Sequence, residues 1–235
     1  MDKFDELDVL DSSVLVLCPH PDDFDVAAVT LKYFHDRGAT IKVVVAPTYS
    51  GILESFYDLP ATHEEMIETR ELEQLSSILK FGLEKGDVQF LPHQVDLDEN
   101  GEWCYTEENR GVIWEALEKA APDYVFIPHP NDPNPAHQAM GRMVREYLNL
   151  HEVNLKLLMQ MDPKTEQISV DYYTPFSQED ADWKAELLMC HRTQNHRNLE
   201  LRGITLAERI LEVNRRAAID HGLEAAYAEV FEIEK

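Results

Sequence analysis

Cysteine is scarce in this sequence, and its spacing excludes two kinds of site. The chain has three cysteines in 235 residues, and none stands in a Cys-x-x-Cys pair. This argues against a disulfide framework and against a zinc site built from cysteines. No Gly-x-Gly-x-x-Gly or phosphate-binding loop follows the first apolar run, which disfavours a nucleotide-binding protein. No apolar run approaches the roughly 20 residues that a membrane-spanning helix needs, so we expect no membrane span.

Basic residues are also few. Lysine and arginine number 21 against 45 acidic residues, which gives a formal net charge of −24. Such a chain repels phosphate backbones, so nucleic acid is not expected as a partner. The charge suits a protein that acts on neutral or cationic small molecules. The acidic residues 1–13 lack the basic and apolar parts of a signal peptide, and we therefore expect a cytoplasmic location.

Apolar runs alternate with helical patterns along most of the chain. Buried strands are predicted at 12–18, 41–47, 88–92 and 123–130, with helices between them. This alternation predicts an α/β fold with a mostly parallel sheet. We expect one domain over residues 1–235, with a core at 13–148 followed by C-terminal strands and helices over 150–235.

The pattern weakens beyond residue 150. Segments 154–160 and 167–173 are predicted as strands that form an antiparallel edge, and 178–197 and 204–222 as helices. Tyr172 and Tyr173 are interpreted as packing residues of a strand, or as the lining of a sugar pocket.

Two predicted strands end in similar loops. The first ends in PHPDD, residues 19–23, and the fourth in PHPNDPNPAH, residues 128–137. Ligands gather at the carboxyl ends of strands in α/β sheets, so these side chains converge if the strands are neighbours. The candidates are His20, Asp22, Asp23, His129, Asp132 and His137. Two histidines and one aspartate would supply the three-ligand shell of a catalytic zinc site, with a further aspartate as general base.

Each of these residues also has a purely structural interpretation. Asp22 or Asp23 can cap the helix that follows, where the helix dipole favours negative charge. His20 alone can be a hydrogen-bonded loop residue. Asn134 is a good N-cap with a proline after it, which places His137 in the first helical turn.

At this point the sequence resembles a known family. PHPDD resembles the (A/P)HPDD signature of the PIG-L/LmbE-like zinc de-N-acetylases, and NPAH stands where that family carries a (H/N)PDH-type motif. The segments TYSG, TRELEQLSSILKFG, MCHRTQN and YAEVFEI match further family elements in the same order. The resemblance covers roughly residues 13 to 233. It implies a Rossmann-like three-layer sandwich with helices on both faces of the sheet.

The resemblance also implies roles for individual residues. His20, Asp23 and His137 become ligands of one Zn²⁺ per chain, and Asp22 becomes the base that activates water. Asn134 or His129 stabilises the oxyanion. The substrate would be contacted by Arg70, Asp132 and His191.

Three positions depart from the family pattern. Phe24 replaces a glutamate, Asn134 replaces a histidine that helps hold the oxyanion, and Ala136 replaces the aspartate before the zinc histidine. Asp132 is a candidate for the support that Ala136 cannot give.

Two substrate-site candidates have alternatives as well. Arg70 can instead form a salt bridge with Glu73 on the same helix face. His191 and Gln194 can instead belong to an exposed polar helix face.

The leading hypothesis is a zinc-dependent hydrolase that removes an N-acetyl group from an N-acetylglucosamine-like sugar or glycoconjugate. A metal-dependent amidase acting on a non-sugar N-acyl substrate is the first alternative. A metal- or ligand-binding relative with weakened catalysis is the second. The resemblance further implies a homo-oligomer, a trimer or a hexamer.

Overall fold

The computed structural model describes residues 2–3, 9–93 and 95–234, and its centre is one mixed β-sheet. Its eight strands in these ranges are β1 Asp2–Lys3, β2 Ser13–Cys18, β3 Thr40–Val45, β4 Val88–Phe90, β5 Tyr124–Pro128, β6 Lys156–Gln160, β7 Tyr172–Phe176 and β8 Tyr227–Glu234. The helices are α1 Asp23–Val26, α2 Ala28–His35, α3 His63–Phe81, α4 Glu107–Ala120, α5 Pro135–Leu150, α6 Gln178–Leu188, α7 Arg192–Arg202 and α8 Leu206–Asp220. The helices in these ranges lack the length and apolar character needed to cross a membrane.

The predicted α/β fold with a mostly parallel sheet is confirmed. The strand order is β1-β7-β8-β6-β5-β2-β3-β4, and strands β2 to β6 pair with one another in parallel. Alternate side chains of strand β2 pack against helices on opposite faces of the sheet. Its Val14 and Val16 pack in a core cluster with α2 and α3, whereas Leu15 and Leu17 pack in another cluster with α4 and α5. A strand buried on both faces reads as a continuous apolar run.

The antiparallel part of the sheet differs from the prediction. Strand β8, formed by the C-terminal YAEVFEIE segment, pairs antiparallel with both β6 and β7 and lies between them. The strand predicted at 167–173 begins only at Tyr172 and continues to Phe176. No strand is predicted from the sequence at YAEVFEIE, whose partners β6 and β7 lie more than 50 residues earlier in the chain.

Two predicted helices are each divided in two. The helix after β2 breaks at Ala27, and Gly38 adopts a φ of 83° two residues beyond the cap of α2 at Asp36. The helix predicted over 178–197 ends at Leu188, and α7 begins after His191, the residue at its N-cap. Apolar spacing continues across the break at Ala27, whereas residues 191–198 contain no apolar side chain, so periodicity marks neither break.

Helix α3 has the predicted limits but a different buried face. Leu72 and Leu79 are exposed, and of the four leucines and isoleucines used to predict the helix only Ile78 is fully buried. The buried face also carries polar side chains, namely Arg70, Glu73, Gln74 and Ser77. Among them, Arg70 reaches the loop after β2, where the candidate site lies, and Gln74 and Ser77 donate to Asp25 in α1.

Candidate metal centre and cavity

The two loops singled out in the sequence meet at the carboxyl edge of the sheet. Strands β2 and β5 are parallel neighbours, so the loops after Cys18 and Pro128 lie side by side. His20, Asp23 and His137 form one buried cluster, with 7%, 5% and 4% of their surfaces exposed. The predicted convergence of these three residues is therefore observed.

The distances within this cluster suit a shared cation. His20 Nδ1 lies 3.1 Å from His137 Nε2, and the Asp23 carboxylate oxygens lie 3.4 Å and 3.5 Å from these two nitrogens. At most one hydrogen can lie between two facing ring nitrogens, and when it leaves, both lone pairs become available to an ion. Two imidazole nitrogens and one carboxylate form the shell that zinc binds at catalytic sites. The residues present thus fit a zinc ion, and an N/N/O shell also accepts other divalent metals.

The electrostatics of the cluster also favour positive charge. Burial alone would lower the pKa of His20, but hydrogen bonds and charges from Asp23 and Glu102 raise it to about 9. Burial is likewise outweighed at His137, where Asp23 and Asp132 raise the pKa to about 10. The pKa of Asp23 moves down despite burial, because both histidines stabilise its anion. The cluster therefore holds positive charge, as a proton or as a metal ion.

The helix-cap interpretation of the paired aspartates is wrong. Asp22 occupies the N-cap of α1 without a capping hydrogen bond from its side chain. Asp23 instead accepts a hydrogen bond from the backbone N–H of His20 at 2.7 Å. That bond closes the loop and turns the carboxylate toward the imidazoles. The capping prediction for Asn134 is confirmed, since its side chain accepts a hydrogen bond from the N–H of Ala136 at 2.9 Å, with Pro135 at the first helical position.

Each metal-site histidine has an acidic neighbour on its far side. His20 Nε2 lies 2.7 Å from Glu102 Oε2, and Glu102 also accepts a hydrogen bond from Ser50. His137 Nδ1 lies 3.6 Å from Asp132 Oδ2, and neither atom has a hydrogen-bond partner among the described residues. Ala136 replaces the aspartate of the family pattern, and Asp132 is the carboxylate that lies beside His137 instead. This position suits a residue that orients the His137 ring rather than one that contacts substrate.

Asp22 and Arg70 form an ion pair beside the cluster. Arg70 Nη2 lies 3.0 Å from Asp22 Oδ1, and the same guanidinium donates to the carbonyls of Pro21 and Ser50 at 3.3 Å. The alternative pairing of Arg70 with Glu73 is wrong, because both Glu73 oxygens accept hydrogen bonds from a threonine at the start of α7. Arg70 therefore holds Asp22 at the edge of the His20–Asp23–His137 cluster.

His129 and His191 lie outside the cavity that adjoins the cluster. His129 Nδ1 accepts a hydrogen bond from the N–H of Asn131, and Nε2 is 3.4 Å from Glu232. His191 is completely buried with Nε2 2.6 Å from Asp25 Oδ2, so the expected exposed polar face is wrong. Sequence spacing cannot show this burial, since Asp25 is 166 residues away.

The cavity has a volume of about 450 Å³ and a largely polar wall. Its lining includes His20, Asp22, Asp23, Asn134 and His137. The other polar residues that line it include Tyr49, Ser50, Arg70, Asn100, Glu102, Asp162, Lys164, Gln194, Arg197, Asn198 and Arg209.

Asp162 and Glu102 are site residues that the sequence did not reveal. Asp162 forms a second potential metal-binding group with Asp132 and His137. Burial, together with the charges of Asp132 and Asp23, raises the pKa of Asp162 to about 6, although His137 opposes the shift. Neither residue belongs to a local motif, because each reaches the site from a loop that no spacing rule marks.

Comparisons with known proteins agree with this architecture. The family model described as PIG-L: GlcNAc-PI de-N-acetylase matches residues 15–148, more than half of the chain. The chain therefore belongs to this family. A comparison with curated protein sequences found no match.

Several solved structures share the fold over 95% of this chain. N,N'-diacetylchitobiose deacetylase from Pyrococcus horikoshii is 20% identical with a TM-score of 0.72 over 84% of its own chain. The A40926 pseudoaglycone deacetylase Dbv21 is 17% identical with a TM-score of 0.72 over 98% of its chain. The 4-carboxy-2-hydroxymuconate hydratase GalB from Pseudomonas putida is 16% identical with a TM-score of 0.68 over 96% of its chain. Since a hydratase has the same fold, the reaction must be argued from the site residues.

Proposed function

We propose that this protein is a zinc-dependent hydrolase that removes the N-acetyl group from an N-acetylglucosamine-like sugar or glycoconjugate. The observation that carries the proposal is the buried His20–Asp23–His137 cluster, which lines a cavity together with Asp22. A metal shell with one adjacent carboxylate outside it is the equipment of metal-assisted amide hydrolysis. Membership of the PIG-L family supports the same reaction.

The metal would be held by His20, Asp23 and His137. When bound, it supplies Lewis acidity that polarises the amide carbonyl and makes water a better nucleophile near neutral pH. Glu102 and Asp132 orient the two imidazoles, because each carboxylate lies beside the ring nitrogen that faces away from the shell.

Asp22 is the proposed general base. Its side chain lines the cavity next to the cluster and is 19% exposed, so a water molecule can reach it. It would take a proton from the attacking water and return that proton to the departing amine nitrogen, which leaves the base unchanged after one turnover. The Arg70 contact holds this carboxylate in one position.

Asn134 is the proposed oxyanion donor. It lines the cavity, and capping occupies its side-chain oxygen, which leaves the amide NH₂ as the group that can donate to developing negative charge. His129 is the weaker candidate because it does not line this cavity. Arg70 would act mainly by positioning Asp22 rather than by direct contact with substrate. The cytoplasmic location and the homo-oligomer stay predictions.

The test uses protein purified without a metal-binding tag. We expect about one zinc per chain by elemental analysis, and acetate release from methyl N-acetyl-β-glucosaminide. Asp22→Asn should keep the metal and lose roughly 100-fold or more in kcat, whereas His137→Ala should lose both. Asp36→Asn, an exposed aspartate outside the cavity, is the matched control.

Two results would contradict this proposal. Wild-type activity in Asp22→Asn would remove the base from the mechanism. Acetate release from N-acetylated amino acids with none from the sugar would move the protein to the non-sugar amidases.

A further inference from the structure

One wall of the cavity carries two arginines from consecutive helices. Arg197 lies in α7 and Arg209 in the first turns of α8, and both side chains line the same cavity as the metal cluster. Both residues are half-buried. Lys164 lines the same cavity. Neither arginine belongs to a motif that the sequence analysis singled out.

These two guanidinium groups have no anionic partner in the described part of the chain. No ion pair or side-chain hydrogen bond joins either of them to a carboxylate there. By contrast, the cavity's other arginine, Arg70, is paired with Asp22 at 3.0 Å. In a protein with 45 acidic and 21 basic residues, unpaired arginines that face a cavity are unexpected.

Burial and neighbouring positive charge both disfavour the charged form of these two arginines. Burial, together with the neighbouring positive charges of Arg202 and Arg70, lowers the pKa of Arg197. Burial and the charges of Arg202 and Arg197 likewise lower the pKa of Arg209. Half-buried guanidinium groups that repel one another are stabilised by an anion that they can bind together, through two parallel N–H···O bonds each.

We propose that the substrate carries an anionic group, a carboxylate or a phosphate, and that Arg197 and Arg209 bind it. The hydrolytic part of this inference rests on the proposed function, whereas the anion site itself does not. The chain's overall negative charge repels anions at long range, so selection for such a substrate requires a local positive wall. The expectation of a neutral or cationic substrate, drawn from net charge alone, therefore does not extend to the cavity.

A competing explanation is that the arginines only offset the carboxylates across the cavity. Asp22 acts electrostatically on both arginines, Glu102 acts on Arg197 and Asp162 acts on Arg209. In that case, removal of an arginine would disturb the site for every substrate alike. A substrate pair that differs only in charge separates the two explanations.

The experiment uses metal-loaded protein and three probes. They are methyl N-acetyl-β-glucosaminide, its carboxymethyl counterpart and N-acetylglucosamine 1-phosphate. Binding is measured by calorimetry on Asp22→Asn, and KM and kcat on protein that keeps Asp22. Arg197→Gln and Arg209→Gln are compared with Arg192→Gln, an exposed arginine of α7 outside the cavity.

We expect Arg197→Gln and Arg209→Gln each to weaken an anionic probe about tenfold or more and the neutral probe less than twofold. Arg192→Gln should change neither. The anionic probe that responds identifies the carboxylate or the phosphate. If Arg197→Gln does not fold, Arg197→Lys keeps the charge and should lose part of the preference.

Equal losses of affinity for neutral and anionic probes in the arginine variants would overturn the inference. Equal affinity of Asp22→Asn for all three probes would also overturn it. The two proposals fail separately. Arginine-dependent binding of an anionic probe without acetate release would contradict the hydrolase and keep the anion site. Acetate release without any preference for an anionic probe would keep the hydrolase and contradict the anion site.

Discussion

Glu102 Oε2 lies 2.7 Å from Nε2 of His20, which leaves Nδ1 of the same ring facing Asp23 and His137. The hydrogen bond to Glu102 favours the ring proton on Nε2 and leaves Nδ1 as the atom that would bind the proposed metal. Glu102 itself is held by Ser50, so the turn at residues 98–103 controls the orientation of a ligand that belongs to another loop.

Glu102→Gln should therefore weaken metal binding. Glutamine keeps the size of the side chain but removes the charge that increases the basicity of His20. We expect an affinity loss of roughly 10- to 100-fold, measured by competition with a chromophoric chelator. Glu99→Gln changes an exposed glutamate of the same turn and should have no effect. Equal affinities for Glu102→Gln and wild type would show that the contact does not support the metal.

Metal binding should release protons near neutral pH. The pKa values of His20 and His137 are raised to about 9 and about 10 in the metal-free site. A metal ion must then displace protons, so affinity should rise with pH until these values are passed. With one hydrogen between the two rings, we expect release of about one proton per metal at pH 7. Calorimetry in buffers of different ionisation enthalpy measures this number.

A result of zero released protons would mean that the histidines are neutral before metal arrives. His137→Ala is the control, since it removes one of the two nitrogens and should abolish both the binding and the release.

The parts of the site that the sequence predicted are those marked by local patterns. His20, Asp23 and His137 follow apolar runs, and Asn134 precedes a proline, so strand ends and a helix cap could be read directly. Glu102, Asp162 and Arg197 reach the cavity from loops and a helix face without such marks. Their placement depends on how distant segments pack, which periodicity does not encode.

The same limit applies to the fold. The parallel strands were predictable because burial on both faces gives continuous apolar runs. Strand β8 was not, since its position between β6 and β7 depends on pairing over 51 to 77 residues. Periodicity does not mark the break at Ala27, because apolar spacing continues across it, nor the break before His191, because residues 191–198 have no apolar side chain.

Arg70→Lys should reduce turnover without loss of metal. The guanidinium joins Asp22 to two backbone carbonyls. An ammonium cannot reproduce this planar arrangement, so the base would shift. We expect kcat to fall by roughly 10- to 100-fold, with unchanged zinc content. Arg110→Lys, on α4, is the control. Loss of zinc in Arg70→Lys would instead indicate a structural role for Arg70 in the metal cluster.

Asn134→Ala separates capping from catalysis. The Asn134 side chain caps α5, and the Thr106 side chain caps α4 outside the cavity in the same manner. Removal of either cap should cost about 1 kcal/mol of unfolding free energy. If Asn134 also donates to the oxyanion, only Asn134→Ala should lose kcat, by about 100-fold. Equal stability losses with unchanged kcat in both variants would leave Asn134 with the cap alone.

Lys184→Met should destabilise the whole protein through a fully buried ion pair. Lys184 Nζ lies 2.7 Å from Glu229 and also donates to the carbonyl of Val26, the last residue of α1. Burial lowers the pKa of Lys184, but Glu229 opposes the shift. Removal of one partner leaves Glu229 without its counter-charge, which costs about 3–5 kcal/mol. The measurement is urea denaturation.

Lys80→Met is the matched control, because Lys80 forms an exposed pair on α3 and should leave the urea midpoint unchanged. Replacement of Glu229 by glutamine in the Lys184→Met background should recover part of the loss, since the buried charge is then gone. A double variant no more stable than Lys184→Met would show that the lost stability comes from the contact of Lys184 with α1 rather than from the unpaired carboxylate.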